Sequence, residues 1–236
     1  MTFLSGLVAA TAAFCFVTGI YKGGSSFLGV EVDATLIGVA ITGALMCVAT
    51  VRARAISAFL RIFSTIFAVE FVLLGTALAL STLGAWPAAL AGIAPPASLP
   101  ATIAIFGLVV YAISFIPVIR QITDIADPFF ETDGVRSISF GPFGARRMSE
   151  RLVGKSLVII LVVVNQLQVA INVRLSFFNR DFFNAIQEKN ETAFWNLLLF
   201  VFCFWAAISV ISVLFEYFLE SLLKITWREW LTERYS

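Results

Sequence analysis

Histidine is absent from the chain. That removes the side chain that most often serves as general base near neutral pH and as a metal ligand. Charge is scarce as well. Asp, Glu, Lys and Arg make up 13% of the 236 residues, against about 25% in soluble domains. The net charge of +1 gives no reason to expect a nucleic-acid partner. Three cysteines, Cys15, Cys47 and Cys203, lie far apart and inside apolar runs. Thiols so placed act as small apolar side chains, so neither a disulfide nor a metal site is expected. No nucleophile–base pair stands out, and no catalytic residue is assigned. Gly154-Lys155-Ser156 ends like a phosphate-binding loop, but the glycine required five residues earlier is Ser149 and an apolar helix follows. It marks a span boundary. No cofactor is expected to bind this chain, and it is not expected to be an enzyme.

What the chain has instead is apolar length. Hydrophobic residues make up 60% of it, gathered in runs of about 18–25, enough to cross a ~30 Å hydrocarbon core. Six spans follow, at about 3–20, 35–51, 58–82, 101–119, 155–176 and 194–218. The expected fold is all-α, a polytopic membrane protein whose first partner is the lipid bilayer. No Lys or Arg precedes the first run, so it lacks the charged start of a signal peptide and counts as a span.

Orientation follows from the basic residues of the short loops. With the N-terminus in the cytoplasm, Arg52, Arg54, Arg120, Arg136, Arg146, Arg147, Arg151, Lys155, Lys224, Arg228 and Arg234 fall inside. Only Lys22, Arg174, Arg180 and Lys189 fall outside. Both termini are therefore expected in the cytoplasm. The uncharged, proline-rich stretch from Trp86 to Pro100 is expected at the outer interface. The longest break, Arg120 to Gly154, contains an Asp133-Gly134 turn signal. It separates a four-span block, 1–125, and a linker, 126–153, from the last helix pair, 154–236. Within the linker, residues 143–152 read either as a short amphipathic helix, with Arg146, Arg147 and Arg151 toward lipid headgroups, or as a plain basic loop.

The fifth span carries Asn165, Gln168, Asn172, Ser176 and Asn179 at spacings of 3, 4, 4 and 3, which puts them on one face of an aliphatic helix. Amides cannot face lipid without leaving hydrogen-bonding groups unmet. The face is either a cavity wall for hydrophilic cargo or a seam of interhelical hydrogen bonds. Glu70 lies near the middle of the third span, with its nearest same-helix base, Arg61, on the opposite face. It needs a partner on another helix or a raised pKa, and a structural contact is favoured over proton coupling. Glu216, Glu220, Lys224 and Arg228 follow at i,i+4. They read as a solvated ladder or, for the two acids, as the lining of an inward-facing cavity.

Two segments are recognisable. One runs Asn179-Arg-Asp-Phe182-Phe183-Asn-Ala-Ile186-Gln187, the other Trp227-Arg228-Glu-Trp230-Leu231-Thr-Glu-Arg-Tyr235. Over about residues 145–236 the chain resembles the SbmA/BacA-like family, bacterial inner-membrane transporters of antimicrobial peptides and related cargo that include ABC-type members with a fused ATPase. The resemblance implies that the first motif closes the first core helix on the outer side and that the second begins a cytoplasmic extension. It also implies a homodimer, peptide-class cargo and an inner-membrane location. By that resemblance the chain supplies the first two of six core helices and is expected to be a fragment. ATP would enter only if a nucleotide-binding domain follows in the full-length protein. The alternative is a non-transporting membrane scaffold.

Single cysteines introduced into the 86–100 and 136–147 loops, in a chain freed of its native cysteines, should label from opposite sides of the membrane. Labelling of both from the same side would overturn the topology.

Overall fold

The computed structural model describes residues 2–23, 25–27, 30–53, 56–87, 96, 98–131, 135–139, 145–189 and 191–235. Long helices dominate, joined by two short antiparallel hairpins, and the fold is that of an all-α polytopic membrane protein. Among the described residues, five helices are long and apolar enough to cross a membrane, and a bent pair raises the number to as many as six. The backbone divides into two units, Met1–Glu131 and Thr132–Ser236.

In the first unit, α1 (Thr2–Lys22) leads through a hairpin of β1 (Ser25–Phe27) and β2 (Val30–Val32) into α2 (Ala34–Arg52). Asp33 starts α2 by accepting from the backbone N–H groups of Thr35 and Leu36, at 2.9 and 3.3 Å, which meets donors that no helical carbonyl can reach. Then come α3 (Ala58–Thr82), α4 (Leu99–Ile113) and α5 (Pro117–Glu131). The chain leaves α3 through Gly84, whose φ of +74° suits glycine at the end of a helix. Its N–H donates to the Ser81 carbonyl at 3.1 Å.

α1 packs on α2 and α3, and α4 packs on α3 and α2, around Val8, Leu36, Met46, Phe71 and Ala104. Lipid tails are as apolar as these side chains, so the helices gain little from burial alone and depend on close approach. Glycines supply it. A Cβ on Gly43 would lie 2.3 Å from Cζ of Phe71, one on Gly75 2.8 Å from Thr11, and one on Gly107 2.6 Å from Met46.

The fourth span departs from the sequence expectation. The apolar run to 119 does not stay one helix: α4 stops at Ile113, and α5 leaves at 90° to it. The cause is local. Pro117 has no N–H to continue the ladder and disfavours helical geometry at Ile116, while proline suits the first turn of a new helix. The Ser114 hydroxyl donates to the Tyr111 carbonyl at 2.6 Å across the break. In α5, Val118, Ile119, Ile122, Ile125, Ala126, Phe129 and Phe130 fall within about 140° of one another at ~100° per residue. Phe129 and Phe130 are buried while Val118, Ile122 and Ile125 are exposed. Asp127 of α5 accepts the Phe59 N–H at 3.1 Å, and Ser57 accepts that of Leu60 at 3.2 Å. The start of α3 is thus capped from two elements.

In the second unit, β3 (Val135–Ser139) pairs with β4 (Ala145–Ser149). This corrects the reading of residues 143–152 as a short amphipathic helix. Residues 145–149 form a strand, and Arg151 already belongs to α6. A short helix leaves the groups of both its ends without internal partners, whereas the hairpin lets each strand meet part of its hydrogen bonding from the other. The chain's amphipathic helix is α5. Residues 132–134, with the Asp133-Gly134 signal, and 88–95, within the proline-rich stretch, lie outside the described residues.

α6 (Glu150–Gln187) turns through Lys189, whose φ is +53°, into α7 (Glu191–Asn196). One helical rod then continues through a π-helical stretch (Leu197–Phe202) into α8 (Cys203–Tyr235). With 38 residues, α6 is longer than the ~20 residues a bilayer core needs. Val153, Leu157 and Val164 of α6 pack with Leu219 of α8.

Gly43→Ala drives a methyl into the fully buried Phe71 ring and should cost about 1–3 kcal/mol, read as a lower melting midpoint of the detergent-solubilised protein. Gly38→Ala, whose Cβ meets nothing within 4 Å, should not lower the midpoint and should raise it slightly through helix propensity.

Candidate functional site

The polar stripe of α6 meets the acidic ladder of α8 at one point. Gln168 Nε2 donates to Glu216 Oε2 at 2.6 Å, and both side chains are half-buried. A hydrogen bond between side chains of two helices answers the demand of polar groups placed in an apolar span. The contact fixes the register of α6 on α8. Both residues stand out in the sequence for separate reasons, and only the packing of the two helices makes them partners.

The other stripe residues do not join it. Asn165, Asn172, Ser176 and Asn179 are exposed. Ser176 donates its hydroxyl to the Asn172 carbonyl of its own helix at 3.1 Å. Among the described residues, the side-chain amides of Asn165, Asn172 and Asn179 have no hydrogen-bond partner. Interhelical bonding therefore accounts for Gln168, and Ser176 bonds its own helix, while three asparagine amides remain open on the same face.

The ladder divides too. Glu220 turns along α8 to Lys224, with Nζ and Oε2 2.8 Å apart and both side chains exposed. An exposed i,i+4 pair contributes about 0.3–0.5 kcal/mol. Arg228 is exposed as well. The ladder's lower part is exposed, and its upper acid, Glu216, belongs to the interhelical contact.

The aromatic residues of the first motif pack where α6 meets the second rod. Phe182 lies 5.5 Å from Phe178 and 5.1 Å from Phe194, ring centre to ring centre, and Phe178 lies 5.5 Å from Phe202. Such pairs contribute about 0.5–1.5 kcal/mol each beyond burial. Phe183, Ile186, Asn179 and Gln187 stay exposed. In the second motif, the Trp227 and Trp230 rings lie 5.4 Å apart, centre to centre, and tilted, Trp230 is buried, and Leu231 is half-buried. The side chain of Tyr235 lies outside the description.

The π-helical stretch was not legible in the sequence, because Leu-Leu-Leu-Phe-Val-Phe suits an ordinary helix equally well. Its wider turn leaves the Leu198 carbonyl 3.6 Å from the Cys203 thiol, and π turns gather at functional places in helices.

Glu70 belongs to the other unit. It is half-buried on α3 and is not without a partner. Arg61 instead approaches Glu131, at 3.9 Å, as its placement on the opposite face of α3 requires. Cys15 is buried and its thiol reaches the Gly75 carbonyl at 3.5 Å.

Gln168→Leu removes the donor to Glu216 and should lower the melting midpoint, whereas the double variant Gln168→Leu/Glu216→Leu should recover part of it. A double-mutant cycle should return a coupling of about 0.6–1.7 kcal/mol, the range for hydrogen bonds between membrane helices. Strict additivity of the two changes would rule the contact out.

Residues 149–236 match the family model of ABC transporter transmembrane region 2. The chain is 36% identical over 94 residues to the inner membrane ABC transporter ATP-binding protein YddA of Escherichia coli (strain K12), covering 40% of this chain and 16% of that protein. It is 36% identical over 76 residues to a Haemophilus influenzae protein named as an ABC transporter ATP-binding protein, covering 32% of this chain and 13% of that protein. No solved structure matches the chain significantly. The chain thus spans less than a fifth of the length of these two relatives. Its similarity to ABC-type transmembrane regions holds for the part built from α6, α7 and α8.

Proposed function

We propose that this chain is the membrane-spanning portion of an ABC-type transporter of the SbmA/BacA-like kind, moving peptides or similar hydrophilic cargo across the bacterial inner membrane. One observation carries the reading. Asn165, Asn172 and Asn179 stand exposed on one face of an apolar helix that matches an ABC transmembrane region. Hydrocarbon cannot satisfy an amide, so that face belongs against water, cargo or further polar helices. A peptide offers backbone N–H and C=O groups along its whole length. Side-chain amides, which both donate and accept, can bond such groups without demanding a particular sequence.

The remaining parts of the proposal follow from the resemblance and from the relatives' names. The complete transporter is a homodimer with both termini of this chain in the cytoplasm. ATP supplies the energy through a nucleotide-binding domain outside this chain, which is not itself an enzyme. The Gln168–Glu216 contact favours a second reading, a non-transporting scaffold in which the stripe is entirely interhelical.

In the full-length transporter, Asn172→Leu should abolish peptide uptake while the amount of membrane-inserted protein stays normal. Transport and protein amount falling in step would favour the scaffold.

A further inference from the structure

At one end of the Met1–Glu131 unit, the last turn of α2, the start of α3, the end of α4 and the polar face of α5 enclose a cavity of about 490 Å³. Ligand pockets run from about 300 to 1,000 Å³. Two arginines, Arg52 and Arg120, and two aspartates, Asp124 and Asp127, line it, together with Tyr111. Ile56 and Leu60 contribute apolar wall.

Opposite charges lining one cavity can pair with one another. Among the described residues, however, Arg52, Arg120 and Asp124 form no ion pair within the chain. Asp127 commits Oδ1 to the Phe59 N–H. The cavity therefore holds two cations and two anions that are not used up on one another. A solvated helix end also carries charge, but it does not enclose a volume of this size with apolar wall.

The depth of the cavity is set by α5. It crosses the axis of α4 at 90° and leaves Val118, Ile122 and Ile125 exposed as one apolar stripe. A helix of this pattern lies in the plane of the bilayer interface, its apolar face among the acyl chains. Its polar face, and the cavity that face closes, then sit at the level of the lipid headgroups.

We propose that this cavity binds the zwitterionic headgroup of phosphatidylethanolamine. Arg52 and Arg120 take the phosphate, with the Tyr111 hydroxyl as an added donor, and Asp124 and Asp127 take the primary ammonium. Charge decides among the lipid classes. An anionic headgroup would satisfy the arginines but face two carboxylates. A choline headgroup balances the charge, but its quaternary nitrogen has no N–H to donate to them. Only a phosphate joined to a primary ammonium meets all four side chains.

The purified chain, stripped in detergent and then offered ethanolamine, choline and glycerol phospholipids of identical acyl chains, should retain the ethanolamine lipid preferentially in native mass spectrometry. Arg120→Gln removes a cation but keeps a polar donor, Asp124→Asn removes an anion at the same size, and both avoid the cap at Phe59. Each should cut that retention about tenfold, the factor for ~1.4 kcal/mol, with helix content and elution volume unchanged. Retention of the choline and glycerol lipids should not move. Equal retention of the three lipids, or unchanged ethanolamine-lipid retention in both variants, would overturn the proposal. Displacement by soluble phosphoethanolamine at concentrations equal to the lipid's would overturn the membrane as the source of the headgroup.

Discussion

Hydrocarbon offers no hydrogen bonds, so each polar group that enters it must find a partner in the protein. That requirement sets the local chemistry of the spans. Thr18 donates to the Phe14 carbonyl at 2.8 Å and Thr65 to that of Arg61 at 2.7 Å, each one turn back along its own helix. The thiols of Cys15 and Cys47 reach carbonyls on neighbouring helices. Hydroxyls and thiols are short enough to be satisfied this way. A side-chain amide or a carboxylate has more groups than its own helix can meet, so each one placed in a span commits that helix to a particular neighbour or to water. Gln168 and Glu216 resolve the demand between themselves. The three asparagines on the same face do not, and the transport reading grows from that difference.

The same constraint explains the contrast between the two units. In the first, glycines let α1 to α4 approach until a single added methyl would collide with Phe71, Thr11 or Met46. Large side chains such as Phe71, Leu36 and Met46 are then fully enclosed. In the second, α6 and the long rod leave Phe200, Phe204, Val210, Ile211 and Leu214 exposed. Those side chains require lipid or further apolar helices around them. The first unit is closely packed within itself and the second sparsely, and residues 149–236, all in the second, match an ABC transmembrane region.

The bend before Pro117 has the largest consequences for its size. Had the fourth span continued to 119 as one helix, Arg120, Asp124 and Asp127 would have pointed away from the end of the block. Turned through 90°, the same residues line a cavity with Arg52 and Ser57, and Asp127 caps α3. A helix that seems from composition only to leave the membrane becomes one wall of a charged cavity.

Run length was enough to locate five of the six expected spans, because the thickness of the bilayer converts directly into a count of apolar residues. Periodicity was enough to put Asn165, Gln168, Asn172, Ser176 and Asn179 on one face, because a helix maps spacing onto direction. The motif over Asn179–Gln187 and the tryptophans at 227 and 230 were legible for the same reason: they are local. Long-range geometry was not. The pairing of Gln168 with Glu216 joins residues 48 apart, and that of Phe59 with Asp127 joins residues 68 apart. Neither spacing carries a signal. Residues 143–152 read as helix or loop because their partner strand, 135–139, is what makes a strand of 145–149. Sequence determined which residues are polar within an apolar span. Tertiary structure decided which of them are satisfied by a neighbouring helix and which still face outward, because hydrogen bonds depend on distances between helices that no single helix contains.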